Sequence, residues 1–598
     1  MVLGILDPFG LPLPDRTAKA DSPLNPKVLW AWGISTDDPD SCTLAKWVLQ
    51  GAPLGFSEDI ETNGIFPKVD GSSWEQERAN ALSRCLEGWT NYPSAIEESE
   101  DLLRLIKEAD SQGFCSFYNS LDEVQSDLGI KPVLNRLGVI VKVKESGRKA
   151  RIIWDLRESQ INSLCRQGER VILPRLRDAI MDANRIYRKG GLPRFLAVDI
   201  TNAFHNVPAG RDRAYTAAAF ETPEGTKILI YDVLVFGSVS SPTIWGRFAS
   251  WLTRTLVAVC PKLGTQTYAD DPLITFDSRD PEHQLQLGAA LLWFAVTGFP
   301  IKLSKADSGS TVTWIGASIQ TDDELQATRV TIPEEKIKEL LNTCKRFLAK
   351  PVVGRKELRS FAGALSFVAG VVPHLRPFLA SLWAVVAQAN DRGKTPGKLV
   401  HTRRIGQALK WISAFLGGEN SLTRVVMARR RSSGYTIVTD ASTYGMGGVL
   451  VEGDKPREFF SIPIPGEFIL RFNAQTGDPR HMALWESLTL LIAARLWLVR
   501  FPLGTVVRVR SDNISALYMV LKCKAKSPAL SIVAREIAMD QARSLYEFTL
   551  LKHINTKDNL IADALSRQFE PVPAPFPELG NCVRNPVQVD SGFWQVPR

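Results

Sequence analysis

Thr265-Gln-Thr-Tyr268-Ala269-Asp270-Asp271-Pro272-Leu-Ile-Thr-Phe276 decides the reading of this chain. β-Branched and aromatic residues flank a short run of turn residues, which predicts strand, tight turn, strand. Two adjacent carboxylates at a hairpin tip repel each other, so positive charge is expected beside them. Oxygen-only donors suit Mg²⁺, which is held by one or two carboxylates together with substrate phosphates. Taken alone, such a stretch reads more plainly as a solvated Asp-Asp-Pro turn, and the neighbouring motifs decide between the two.

Upstream, Arg194-Phe-Leu-Ala-Val-Asp199-Ile-Thr-Asn-Ala203-Phe204-His205 is an apolar strand that emerges at an acid. A third carboxylate at such a strand end completes a donor set for two metals, which hold the attacking and leaving oxygens of a phosphoryl displacement. Between the acidic motifs, Leu234-Val-Phe236-Gly237-Ser-Val-Ser-Ser241-Pro242-Thr-Ile-Trp245 places small residues ahead of a helical pattern. Small residues there suit close approach of backbone to a substrate.

In this order and spacing the motifs resemble a reverse transcriptase. Asp199 with Ala203-Phe204 looks like the first palm motif, Phe236-Gly237 through Ser241-Pro242 the second, and Tyr268 to Asp271 the third. Gly298-Phe-Pro-Ile-Lys302-Leu-Ser-Lys305 resembles the fourth, and Trp314-Ile315-Gly316 the glycine turn that closes the palm. The resemblance implies that Asp199 and Asp270 bind two Mg²⁺ ions, with Mn²⁺ an alternative, and that Asp271 assists. It places Phe236, Gly237 and Tyr268 at the substrate. Lys305 matches the lysine that protonates leaving pyrophosphate, and Lys302 is the competing assignment. Phe204, five residues after Asp199, resembles a steric gate against a ribose 2′-OH, the alternative being core packing beneath the strand. Phenylalanine at 236, where retroviral enzymes carry glutamine, resembles gypsy-type and DIRS-type retroelements.

Val139 to Arg157 reads as a β-hairpin with a charged turn at Gly147-Arg148-Lys149. A triphosphate needs a basic clamp, and the arginine fork donates two parallel hydrogen bonds. A solvated edge hairpin blunted by lysines is the plain alternative. The segment resembles the fingers of reverse transcriptases, which implies that Lys144 and Arg151 bind the triphosphate.

A second acidic set follows. Ser433 to Asp440 is a strand ending in an acid, and Gly445-Met-Gly447-Gly448 reads as a glycine-rich turn before a second strand. Glu486 lies alone in an apolar helical run, a costly position unless it is paired or on a metal. Val506 to Ser511 alternates as a strand and ends at Asp512, and Asp563 falls in a short helix after Asp558-Asn559. Singly, Asp512 reads as a helix N-cap and Asp563 as a surface acid. Together they resemble the ribonuclease H domain of retroelements, which implies a metal-binding tetrad of Asp440, Glu486, Asp512 and Asp563 that cleaves RNA in an RNA–DNA hybrid. His553 reads as a strand residue and is left outside the catalytic set.

At 598 residues the chain is long enough for several cores, and its net charge of +8 suits a polyanion partner. The eight cysteines form no Cys-x-x-Cys, which points to free thiols in a reducing compartment, cytoplasmic or nuclear, and not to secretion. The first residues do not read as a signal peptide, and no apolar run reads as long enough to cross a membrane. The expected fold is an α+β polymerase right hand of fingers, palm and thumb, followed by an α/β ribonuclease H-like domain. Expected boundaries are 1–95 for an N-terminal extension packed against the fingers, 96–325 for fingers and palm, 326–430 for a helical thumb and connection, 431–567 for the ribonuclease H-like domain, and 568–598 for a proline-rich disordered tail. Expected partners are an RNA template, a DNA primer, RNA–DNA hybrid and dNTPs. The rival reading is a decayed or domesticated copy that binds nucleic acid without catalysis, and the retained carboxylates weigh against it.

Overall fold

The structure, a computed structural model, describes residues 13–69, 90–144, 147–387, 398–418, 422–525 and 527–595. Contacts divide the chain at Ile315/Gly316 into two units. The division falls at the glycine turn, ahead of the expected boundary at 325.

The first unit, Met1–Ile315, carries β1 (Cys115–Tyr118), β2 (Leu134–Lys144), β3 (Gly147–Asp155), β4 (Pro193–Ala197), β5 (Ala217–Thr222), β6 (Gly225–Tyr231), β7 (Gly264–Tyr268), β8 (Asp271–Asp277), β9 (Asp307–Gly309) and β10 (Thr311–Trp314). One sheet has the order β7-β8-β4-β9, and the other β1-β6-β5-β2-β3. In the first, β4 lies antiparallel to β8 with Phe195 opposite Thr275 and Ala197 opposite Leu273. Phe195, Leu273 and Ile274 are buried, which fixes the register, because a one-residue slip would turn this apolar set outward. The helix Ser241–Val259 starts with Pro242 in its first turn and buries Ile244, Trp245, Phe248, Trp251, Leu252 and Leu256 at helical spacing. It packs against β7, as does the helix Leu176–Arg188.

Residues 13–69 are part of this core and share it with Leu137, Val139 and Trp154 of the β2–β3 hairpin. The segment carries the helices Pro26–Thr36 and Ser41–Gln50. Trp32 lies edge-on to Trp251 and Trp293, at 6.5 and 5.4 Å, on the helices Ser241–Val259 and Pro281–Thr297. Asp40 accepts from Arg247 Nε at 2.8 Å, with both side chains fully buried. Asp212 accepts from the backbone N–H groups of Phe56 and Ser57. A buried charge is retained only when it is paired and hydrogen-bonded, so these contacts tie the segment to the rest of the first unit.

The second unit, Gly316–Arg598, begins with β11 (Ala317–Asp322) and β12 (Ala327–Thr331). The helices Glu334–Leu348 and Arg355–Val371 follow, then β13 (Val352–Gly354) and β14 (Leu399–His401) as a pair flanking the second helix. Leu358, Phe361, Ala362 and Leu365 are buried as their spacing predicts, while Phe367 is only half-buried and Val368 takes the core place. β15 (Thr423–Met427) pairs with β12, joining the start of the unit to residues beyond the helices.

The remaining strands are β16 (Ser432–Ala441), β17 (Gly445–Glu452), β18 (Lys455–Pro463), β19 (Val506–Ser511), β20 (Leu550–His553) and β21 (Val583–Arg584), in one sheet of order β20-β19-β16-β17-β18-β21. Gly445, Gly447 and Gly448 lie inside β17, not in the expected turn. The turn is residues 442–444, where Ser442 N–H donates to Gly445 O at 2.8 Å. A Cβ on Gly447 would stand 2.6 Å from Ser566 N and 2.7 Å from Leu565 Cβ, so Gly445 and Gly447 let the helix Leu560–Ser566 close on the strand. The helical run Pro479–Arg500 is long and apolar enough to cross a membrane by length and composition, contrary to the sequence reading. It is 72% buried inside the unit over its apolar window and serves there as a core helix.

In the proline-rich tail, where disorder is expected, residues 583–584 and 593–595 pack on the second unit. β21 pairs with β18, and Phe593 and Trp594 pack their rings on Phe468 at 5.4 Å each. Gln595 N–H donates to the buried Glu536 carboxylate at 3.0 Å. Prolines removed the regular patterns from which order is read, but the aromatics at the end find apolar partners.

Candidate active sites

The first site is built at the tip of the β7–β8 hairpin. Tyr268 pairs with Asp271, leaving Ala269-Asp270 as a two-residue loop. Ala269 takes φ 52°, a conformation that costs an L-residue about 1–2 kcal/mol. Trp245 Nε1 donates to Ala269 O at 3.0 Å and Trp314 Nε1 to Asp271 O at 2.9 Å, holding the tip from two sides. Ile200 N–H donates to Asp270 O at 2.9 Å and Val198 N–H to Pro272 O at 3.0 Å, which sets Asp199 beside the tip.

The three expected acids therefore come together at strand ends. Burial pushes the Asp270 carboxyl up, and the Asp199 charge adds to it. Burial, then Asp270 and Asp199, push Asp271 up to about 6. Lys305 Nζ lies 2.8 Å from Asp199 Oδ2 and opposes both shifts. Lys302, the competing lysine, is exposed and gives its backbone N–H to Asp199 O at 3.1 Å. Positive charge at the tip, expected from two adjacent acids, is supplied here by Lys305.

Around the acids, Phe204 sits in the turn Ala203–Asn206, half-buried, with its ring 4.9 Å from that of Phe236. Phe236 is 59% exposed. Gly237 has φ 109°, and a Cβ there would stand 2.2 Å from Trp154 O on β3, so only glycine fits between the hairpin and this loop. Asn162 bridges the same loop, donating to Gly237 O at 2.8 Å and accepting from Val239 N–H at 2.9 Å, a role with no signal in the sequence. Tyr268 is half-buried at the end of β7. Arg151 is exposed on β3 opposite Ile140, with no ion-pair partner among the described residues. The Lys144 side chain lies outside the described residues. Arg148 is occupied elsewhere, bound to Glu98 and, at 3.0 Å, to Asp101.

The second site lies in the other unit. Asp440 ends β16, Glu486 comes from the helix Met482–Leu496, and Asp512 follows β19. One carboxylate oxygen from each lies within 4.8 Å of those of the other two. Asn513, not Asp512, caps the next helix, accepting from Ala516 N–H at 3.0 Å, so Asp512 is left to the cluster. Burial first, then the neighbouring acids, pushes Asp440 up to about 7 and Glu486 well above the usual range. Asp440 is held by Ser566 Oγ at 2.7 Å and Asn559 Nδ2 at 3.1 Å, and Asp512 by Thr556 Oγ1 at 2.8 Å. These donors are not legible in the sequence, because Ser, Asn and Thr in short helices read first as caps.

Asp563, the fourth expected ligand, is not in the cluster. Its Oδ1 accepts from Arg567 Nε at 2.7 Å, an i,i+4 partner on its own helix that offers opposite charge where the other acids offer repulsion. It still faces Asp440 closely enough to oppose its ionisation. His553 ends β20, exposed, with Nε2 3.1 Å from the Asp512 main-chain oxygen, as the strand reading requires.

Residues 144–319 match the family model described as reverse transcriptase (RNA-dependent DNA polymerase). Over that segment the chain is similar to reverse transcriptases, and the segment contains Asp199, Phe204, Phe236, Gly237, Tyr268, Asp270, Asp271 and Lys305. Asp440, Glu486 and Asp512 lie beyond it. Among solved structures, the foamy viral protease-reverse transcriptase in complex with double-stranded DNA is 17% identical, covering 78% of this chain and 84% of that one at a TM-score of 0.41. The foamy viral protease-reverse transcriptase dRH, also with double-stranded DNA, is 17% identical, covering 79% and 71% at 0.40.

Proposed function

We propose that the chain is an RNA-directed DNA polymerase of a retroelement, adding dNTPs to a primer 3′-OH, and that its second site cleaves the RNA strand of the hybrid so formed. The observation that carries the reading is the meeting of Asp199, Asp270 and Asp271 at strand ends inside the segment that matches the reverse transcriptase family. Both acidic sets offer only oxygen donors in sites where burial penalises their charge, and such a set fits a hard divalent cation. Mg²⁺ or Mn²⁺ held by Asp199, Asp270 and Asp271 in one site, and by Asp440, Glu486 and Asp512 in the other, supplies positive charge at the reacting phosphate.

The chain's own groups do the rest. Arg151, with Lys144, grips the triphosphate, and Gly237 lets the loop that carries Phe236 sit close on the β2–β3 hairpin. Phe204 blocks a ribose 2′-OH. Lys305 moves from Asp199 to the leaving pyrophosphate and gives it a proton. In the second site Asn559, Ser566 and Thr556 orient two of the acids, and Asp563 joins them when Arg567 turns to the hybrid's phosphates. The 2′-OH distinguishes the RNA strand. The spread of free cysteines fits a reducing compartment.

Primer extension on an RNA template with dNTPs and Mg²⁺, beside Asp199→Ala/Asp270→Ala, tests the reading. Extension by the wild type and its loss in the double variant are expected. Asp270→Asn alone abolishes extension and leaves hybrid cleavage, since the acidic sets are separate. A folded wild type that binds hybrid without extending the primer leaves the non-catalytic binding protein as the reading.

A further inference from the structure

Phe236 stands exposed at the edge of the first site, yet it is not loose. The backbone beside it is fixed, because Gly237 lies against Trp154 O. Its ring is met by two consecutive residues of the turn Ala203–Asn206. Phe204 lies 4.9 Å away at 41°, and His205 lies 5.5 Å away at 83°, edge to face. The His205 ring is in turn packed on Phe114 at 4.8 Å and Tyr231 at 5.7 Å, and Tyr231 meets Trp154 of β3 at 4.9 Å. Rings thus run without a break from the fingers hairpin to Phe204.

His205 fills the centre of this run, and its ring nitrogens make no hydrogen bond among the described residues. Burial holds its pKa near 4, so the ring is neutral at pH 7 and acts by shape. An edge-to-face contact is directional, favouring one orientation of the partner ring over others. A Phe236 ring tilted away from His205 would also leave Phe204 free to swing.

We infer that His205 is a positioning residue for sugar selection: by propping Phe236 edge-on, it fixes the Phe204 ring against a nucleotide 2′-OH. The inference rests on the polymerase reading of this site. It makes sugar discrimination depend on a side chain that does not touch the nucleotide. An aromatic ring at position 205 is sufficient, and an aliphatic side chain of similar bulk is not.

The experiment is primer extension by the full chain with dNTPs and, separately, rNTPs, read as the ratio of kcat/KM between them. His205→Leu, which keeps the bulk and removes the ring, is compared with His205→Phe and with Phe204→Ala. His205→Leu is expected to lower the dNTP preference about tenfold, mainly through a lower KM for rNTPs, in the direction of Phe204→Ala. His205→Phe is expected to restore the wild-type ratio. An unchanged ratio in His205→Leu overturns the inference, as does a loss that His205→Phe fails to restore. Should His205→Leu not fold, Phe236→Leu takes its place, and an unchanged ratio there overturns the inference equally. Absence of extension by the wild type overturns the polymerase reading and this inference with it, whereas extension with an unchanged ratio leaves that reading intact.

Discussion

At the scale of single residues, the acids are the most strained feature. Asp440 is raised to about 7 because it is buried and faces Asp512 and Asp563. Its folded pKa exceeds the value of 3.8 in an unfolded chain. The folded state therefore binds the proton more tightly, and the stability this contributes is complete below about pH 4 and lost as pH rises through about 7. Without metal, the wild type is expected to lose stability over that window, and Asp440→Asn to lose less, ending more stable at pH 8 by on the order of 2 kcal/mol. Added Mg²⁺ should raise the Tm of the wild type and leave that of Asp440→Asn nearly unmoved, since a ligand stabilises the state that binds it. Thermal melts at pH 4.5, 6 and 8, with and without Mg²⁺, check this; equal pH dependence in both proteins would count against the charge argument. The identities of these acids were legible because each ends an apolar strand or interrupts an apolar helix. Their hydrogen-bond donors were not, since Ser566 and Asn559 reach Asp440 across more than a hundred residues of chain.

At the scale of elements, both sites depend on close packing of short pieces. The Ala269-Asp270 loop holds a left-handed alanine because two tryptophans from distant segments donate to its flanks. The helix Leu560–Ser566 reaches Asp440 because β17 presents glycines to it. Gly447→Ala is expected to push this helix from the strand, cost about 1–3 kcal/mol and abolish hybrid cleavage while sparing primer extension. Denaturant unfolding and the two activity assays separate these effects, and full hybrid cleavage by Gly447→Ala would show that the helix tolerates the added methyl. The glycines were misread as a turn because glycine most often marks one. Their reason here is the neighbour packed on the strand, which no local pattern carries.

At the scale of the whole molecule, the ends of the chain belong to the units that hold the sites. Residues 13–69 contribute helices to the first core, and Asp40 is the partner of the fully buried Arg247 on the helix Ser241–Val259. Asp40→Ala leaves that guanidinium buried and unpaired, and is expected to cost about 3–5 kcal/mol in the first unit, read as an earlier urea transition. An unshifted transition would mean that Arg247 finds water or another acceptor. At the other end, Trp594 and Gln595 cover the second unit's core helices, so truncation at the prolines would uncover apolar surface and the buried Glu536.

By itself the sequence determined the order of strands and acids, the hairpin at Asp270-Asp271, the helical faces and the family likeness of residues 144–319. These follow from periodicity and from residue types that act locally. Only the tertiary structure decided that Asp563 pairs with Arg567, that the glycines of β17 seat a helix, and that His205 carries Phe236. It also decided that residues 13–69 join the first core and that Phe593 and Trp594 pack against the second. Each of these depends on what a side chain meets from far along the chain, and burial then sets its cost.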